Sequence, residues 1–238
     1  MTEPSAIALK VGIEVFKRAA PSGLAWLKTQ IFGENFLLIG ESRGGKSSFI
    51  FYLEKGVLLP ENKNKPRTLE IKDTASFDLT IGETKELRVS VKKATDTRGH
   101  DTPLEQSKLV AKKKPNVLLV FLDLTSDWTG NSREHGYGFL EDLLIELEKR
   151  GKGSKRIAKN SRMMCIILNK TDKITTRQYA AKERKIQKLL DSYKTPSWVA
   201  DANDISVHRC VSVENKDETK HIDKVIKHVI TTLETKGC

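Results

Sequence analysis

Apolar residues along the chain follow three rhythms. Phe36–Ile39, Val117–Leu122 and Met163–Leu168 are short continuous runs, of the kind buried on both faces of a parallel sheet. Phe77, Leu79 and Ile81 alternate with polar residues, as do Leu87, Val89 and Val91, and Gly82-Glu83-Thr84-Lys85 between them predicts a hairpin. Helical spacing marks Phe49–Leu53, a short stretch from Leu104 to Lys113, and the stripe Phe139, Leu140, Leu143, Leu144 and Leu147. A charged helix from Thr176 to Tyr193 and a striped one carrying Ile222, Val225, Ile226, Val229, Ile230 and Leu233 complete the set. Val207–Val213 reads as the last strand. Strands alternating with helices predict an α/β fold: a mainly parallel six-stranded sheet with one antiparallel hairpin strand and helices on both faces.

Residues 4–32 stand apart from this alternation. Ile7, Val11, Val15 and Phe16 predict a helix that Pro21 ends or kinks, and Leu24, Leu27 and Ile31 predict a second. The expected organisation is an N-terminal helical extension, 1–32, and one domain, 33–238. Lys10, Lys17, Arg18 and Lys28 give the extension a basic flank beside Phe16 and Trp26. Packing on the domain or on a partner is the favoured reading, a membrane surface the rival. Polar stretches at 56–67 and 151–162 read as loops, the second basic and punctuated by glycine.

The candidate chemistry lies where the apolar runs end. Gly40-Glu41-Ser42-Arg43-Gly44-Gly45-Lys46-Ser47 has the spacing G-x-x-x-x-G-K-S, with Ser48 inside the helix that follows. Such a loop turns successive backbone N–H groups toward phosphate oxygens. Its lysine brings a point charge to the β- and γ-phosphates and its serine hydroxyl can ligate Mg²⁺. The helix opening near Lys46 adds its positive N-terminal end. Downstream stand Asp96-Thr97-Arg98-Gly99-His100, after the second alternating segment, and Asn169-Lys170-Thr171-Asp172, after the third apolar run.

These three motifs, in this order, resemble a Ras-like GTPase domain of the translation-factor-related class, from about Gly33 to Cys238. The resemblance implies guanine-nucleotide binding through Gly40–Ser48, with Asp96 near Mg²⁺ and the Gly99 N–H at the γ-phosphate. It implies that Asp172 accepts from the N1–H and exocyclic amine of guanine. Lys170 would lie along the base and Asn169 would tie that loop to the phosphate loop. The switch threonine that meets Mg²⁺ is assigned to Thr68, with Thr74 as the rival. Ser212-Val213 matches the last base-contacting loop, although Ser-Val-Glu stands where the family has Ser-Ala-Lys. His100 resembles the histidine of translation-factor GTPases and, with Lys46, is the candidate catalytic residue for hydrolysis of GTP to GDP and phosphate. A slow conformational switch follows from this, with a GTP-loaded scaffold of little or no hydrolysis as the alternative. Arg43 and Arg98 read as arginine fingers or as residues solvated or paired with acids such as Glu41.

Charge widens the list of partners without choosing among them. With 42 Lys+Arg against 31 Asp+Glu, the net charge of +11 suits GTP and GDP, a nucleic acid or an anionic membrane surface. A protein regulator or effector at the switch loops is expected, and dimerisation stays open. Three cysteines and no disulfide framework fit the cytoplasm, with peripheral membrane attachment as a variant. Cys165 and Cys210 read as small buried hydrophobes. His135, His208, His221 and His228 show no ligand spacing and read as surface or strand residues.

Overall fold

The computed structural model describes residues 34–55, 71–81, 87–97, 101–153, 161–193, 196–199, 201–211 and 219–236. The N-terminal extension, the hairpin turn, Thr68, Arg98, Gly99, His100, Ser212 and Val213 lie outside them. In chain order the elements are β1 (Glu34–Gly40), α1 (Lys46–Lys55), β2 (Lys72–Asp73), β3 (Phe77–Ile81) and β4 (Leu87–Asp96). Then come α2 (Pro103–Lys113), β5 (Val117–Asp123), α3 (Gly136–Gly153), β6 (Met163–Asn169), α4 (Thr176–Asp191), β7 (Ile205–Arg209) and α5 (Thr219–Lys236).

The sheet runs β2-β4-β1-β5-β6-β7, with β3 also paired to β4. Its body is five parallel strands, β4-β1-β5-β6-β7. This corrects the expected six strands with one antiparallel. Among the described residues there are seven segments, and both β2 and β3 run antiparallel to β4, end to end along one edge. Between them Thr74 keeps contact with β4: its N–H donates to the Ala94 carbonyl at 2.9 Å, and its hydroxyl accepts from the Ala94 N–H at 3.1 Å. The strand β4 also outruns the alternation that predicted it. Lys92 and Lys93 break the apolar rhythm, yet pairing with β1 continues to Asp96.

Alternate strand residues feed two apolar layers. Phe36, Leu38, Leu119, Phe121, Cys165 and Ile167 face α1 and α5, where Phe49, Tyr52, Ile226 and Ile230 meet them. Leu37, Ile39, Val120, Ile166 and Leu168 face α2, α3 and α4, packing on Val110, Leu144 and Ile186. Every residue of β5 and β6 is buried, as strands covered on both sides must be.

Two boundaries differ from expectation for local reasons. Gly151 was expected to open a loop, but α3 continues to Gly153. A Cβ at Gly151 would stand 2.2 Å from Ser197 Oγ and 2.3 Å from the Ser197 carbonyl, so this glycine serves close packing. The last strand begins at Ile205 and ends at Arg209, short of Val213. Cys210 still donates its N–H to the Leu168 carbonyl at 2.8 Å. Two helices start at capping boxes, Thr102 with Glu105 and Thr175 with Gln178, which satisfy amides that a helix start leaves without partners. Among the described residues no helix is long and apolar enough to cross a membrane.

Candidate nucleotide-binding site

Gly40–Ser47, Asp96 and Asn169–Asp172 meet at the carboxyl ends of β1, β4 and β6, where parallel sheets gather ligands. The chain leaves β1 at Gly40 with φ +133°, and a Cβ there would lie 2.1 Å from the Phe121 carbonyl oxygen. Only glycine fits that approach. The loop then turns through Arg43, in the left-handed region at φ 59°, which costs about 1–2 kcal/mol for a residue with a Cβ. It enters α1 at Lys46.

Lys46 is buried beneath this loop. Its Nζ donates to the Gly40 and Glu41 carbonyls, each at 2.9 Å. Burial lowers its pKa to about 8, against the opposing pull of the Asp96, Glu41 and Asp101 carboxylates. Its neighbour Ser47 donates from Oγ to Asp96 Oδ2 at 2.6 Å, joining the loop to the end of β4. A hydroxyl and a carboxylate form a hard oxygen donor set of the kind Mg²⁺ takes. Thr74, the rival for the switch threonine, holds β4 through Ala94, and Thr68 lies outside the described residues.

The Asn169–Asp172 loop docks on the phosphate loop from the β6 side. Asn169 Nδ2 donates to the Gly44 carbonyl at 2.8 Å. Lys170 takes a left-handed conformation at φ 61° and forms an ion pair with Asp123. Thr171 donates its N–H to the Cys210 carbonyl at 3.4 Å, which ties the loop to the chain leaving β7. Asp172 lies in a 3₁₀ turn, Thr171–Lys173, with Lys173 Nζ 3.3 Å from its carboxylate. Ser42 Oγ and Asn169 Oδ1 are buried without a hydrogen-bond partner among the described residues. Such groups at a loop of this kind suit a polar ligand.

Asp123 and Gln106, which belong to no motif, also support this loop. The Glu41 side chain is buried and meets backbone donors. It accepts from the backbone N–H groups of Asp123 and Gly136, the latter at 3.1 Å, and lies 3.3 Å from His135 Nδ1. Burial raises the Glu41 pKa, the two backbone donors lower it, and the neighbouring Asp123 charge raises it further. Asp123 in turn accepts from Thr125 N–H and Oγ–H at 2.8 and 2.6 Å, so one residue meets Glu41 through its backbone N–H and Lys170 through its carboxylate. On the other side Gln106 of α2 grips Gly40: Oε1 accepts the Gly40 N–H at 2.7 Å and Nε2 donates to the Gly40 carbonyl at 3.0 Å. Asp123 had a sequence signal, an acid ending a buried run. Gln106 had none.

Comparison with known proteins adds the fold. The chain matches translation elongation factor SelB from Methanococcus maripaludis, solved in complex with the GTP analogue GppNHp, at 17% identity and a TM-score of 0.51. It also matches a bacterial selenocysteine-specific elongation factor EF-Sec at 14% identity and a TM-score of 0.53. Each match covers 85% of this chain but only 34% and 29% of those proteins, so the chain spans about a third of their length. The likeness shows a fold shared with a part of these elongation factors. No family model matches the chain. Nor does any curated protein.

Proposed function

We propose that the protein binds guanine nucleotide and hydrolyses GTP to GDP and phosphate as a conformational switch. The hydrogen bond from Asn169 to Gly44 carries the reading, because it joins the loop matching a base-recognition motif to the loop matching a phosphate-recognition motif. Lys46 supplies positive charge under the loop and turns from the Gly40 and Glu41 carbonyls to phosphate oxygens. The loop amides meet the phosphates, and Asp172 accepts from the guanine edge, a pairing adenine does not offer. Ser47 and Asp96, with Thr68, are the residues that would hold Mg²⁺, which would neutralise charge on the β- and γ-phosphates. His100 orients the attacking water, and Gly99 N–H meets the γ-phosphate.

Labelled GTP, GDP and ATP mixed with the purified protein test the assignment. Both guanine nucleotides should bind well above ATP, and equal ATP affinity would sink it. A single-turnover assay of the wild type against His100→Ala then separates switch from scaffold. Phosphate release that slows in the variant supports the hydrolytic role. Release absent from both proteins favours the GTP-loaded scaffold.

A further inference from the structure

A second cluster of donor side chains lies away from the motifs, at the β7 edge of the sheet. Cys165 is the third residue of β6, His208 lies on β7, and His228 projects from α5. The thiol sulfur and one ring nitrogen from each histidine all lie within 4.8 Å of one another. The two imidazole rings stand 4.7 Å apart between centroids, tilted by 50°. Ser206 completes the group: its Oγ is 3.4 Å from Cys165 Sγ and 2.9 Å from His208 Nε2. Register explains the convergence. Cys165 pairs with Ser206 and Ile167 with His208, which puts all these side chains on the α5 face of the sheet.

A bland account of this cluster would be a buried thiol beside two surface histidines. The geometry goes further, because three elements bring soft and borderline donors to one point. Cys165 is wholly buried, and both histidines are half-buried. Burial and the neighbouring His228 bring the His208 pKa down to about 4. Burial likewise lowers that of His228.

We propose that Cys165, His208 and His228 bind a divalent transition-metal ion of the zinc class. A thiolate and two imidazoles suit that class and not Mg²⁺, which takes oxygen. Three protein ligands leave a fourth position, beside Ser206. Metal–sulfur and metal–nitrogen bonds of about 2.3 and 2.0–2.1 Å would set the donors roughly 3.3–3.6 Å apart. The cluster closes to that spacing by a contraction on the order of 1 Å, shared by two half-buried side chains. On binding, the Cys165 S–H bond breaks, a metal–sulfur bond forms and the proton leaves to solvent. The ion itself drives this deprotonation.

The location gives the ion a structural role. Among the described residues the edge strand β7 pairs with β6 alone, and α5 packs over it. An ion held by all three elements pins the edge strand whose next residue, Cys210, receives the Thr171 N–H of the base loop. The proposal does not depend on the nucleotide reading and is tested on nucleotide-free protein.

Titration of the full chain with Co²⁺, in excess Mg²⁺, is the first measurement. One equivalent should bring up a thiolate-to-cobalt charge-transfer band with the visible intensity of four-coordinate cobalt. Cys165→Ser should lose the band, while Cys210→Ser and Cys238→Ser keep it. No band, or a band that survives Cys165→Ser, overturns the proposal. Should Cys165→Ser fail to fold by circular dichroism, His228→Gln decides, since its site is half-exposed. That variant should bind Co²⁺ at least tenfold more weakly, and unchanged affinity overturns the assignment. Zn²⁺ should raise the melting temperature of the wild type and not of His228→Gln. An equal shift in both would place the ion elsewhere.

Discussion

The two ends of the candidate nucleotide site are built by opposite means. At the phosphate end the side chains and backbone groups that shape the loop are held inside the protein, while Ser42 Oγ has no partner among the described residues. Lys46 is capped by two loop carbonyls, Glu41 by two backbone N–H groups, and Gly40 by both arms of Gln106. At the base end the motif is held from below, by Asn169 on Gly44 and Lys170 on Asp123, while Asp172 has a neighbouring lysine as its ion-pair partner. The difference is one of preorganisation. Phosphate carries large charge and rewards a rigid, buried cradle, whereas the base edge is chosen by one or two directed hydrogen bonds.

The sharpest way to break the contrast is Lys46→Ala. Removing a buried, hydrogen-bonded charge partner costs affinity by about a hundredfold or more. GTP and GDP should suffer alike, which equilibrium binding measures. A loss under tenfold would mean that the loop amides carry the phosphates without the lysine. Asp172→Asn comes next and should act on base choice alone. Losing charge-assisted bonds to guanine weakens GTP by about ten- to a hundredfold, and xanthosine triphosphate should gain. If both nucleotides weaken together, the base end is not read by Asp172.

Smaller still is Gln106→Leu, which probes the rigidity of the phosphate end. Each buried group of Gly40 left without its partner costs about 1–3 kcal/mol. For a chain of this size that is a melting temperature lower by about 2–4 °C per kcal/mol. Nucleotide binding should rescue part of the loss, because it favours the folded loop. A variant that melts with the wild type would show that Gly40 finds its partners elsewhere.

What was legible in the chain divides along the same line. The Gly40–Ser47 and Asn169–Asp172 motifs were readable because each is contiguous and its spacing is imposed by local backbone geometry. The buried strands β1, β5 and β6 were readable as apolar runs. Asp123 supporting Glu41 from 82 positions away was not, nor was Gln106 at 66 positions from Gly40. These contacts exist only once the sheet brings β1 beside β5 and α2 beside both. The cluster of Cys165, His208 and His228 is the extreme case, since strand register and one helix face had to be known together. The broken edge of β2 and β3 escaped for a humbler reason: a two-residue strand leaves no rhythm to read.

The smallest effect expected is a proton. In the free protein burial holds Lys46 near pKa 8, well under the ordinary lysine value of 10.5. The unfolded chain therefore keeps its proton where the folded one has lost it, so folding stability rises as pH climbs from about 8 toward 10.5. Nucleotide reverses the balance, because phosphate oxygens beside the amine favour its charged form. GDP binding, measured without divalent metal, should take up about half a proton at pH 8 and almost none at pH 6. Affinity should fall toward tenfold per pH unit above 8, until the raised pKa of the complex is reached. Calorimetry in two buffers of different ionisation heat reads the uptake directly. Lys46→Arg, which stays charged throughout, should bind without it. Zero uptake in the wild type at pH 8 would mean that the lysine is hydrated rather than sealed under its loop, and the contrast between the two ends would shrink to that of their motifs.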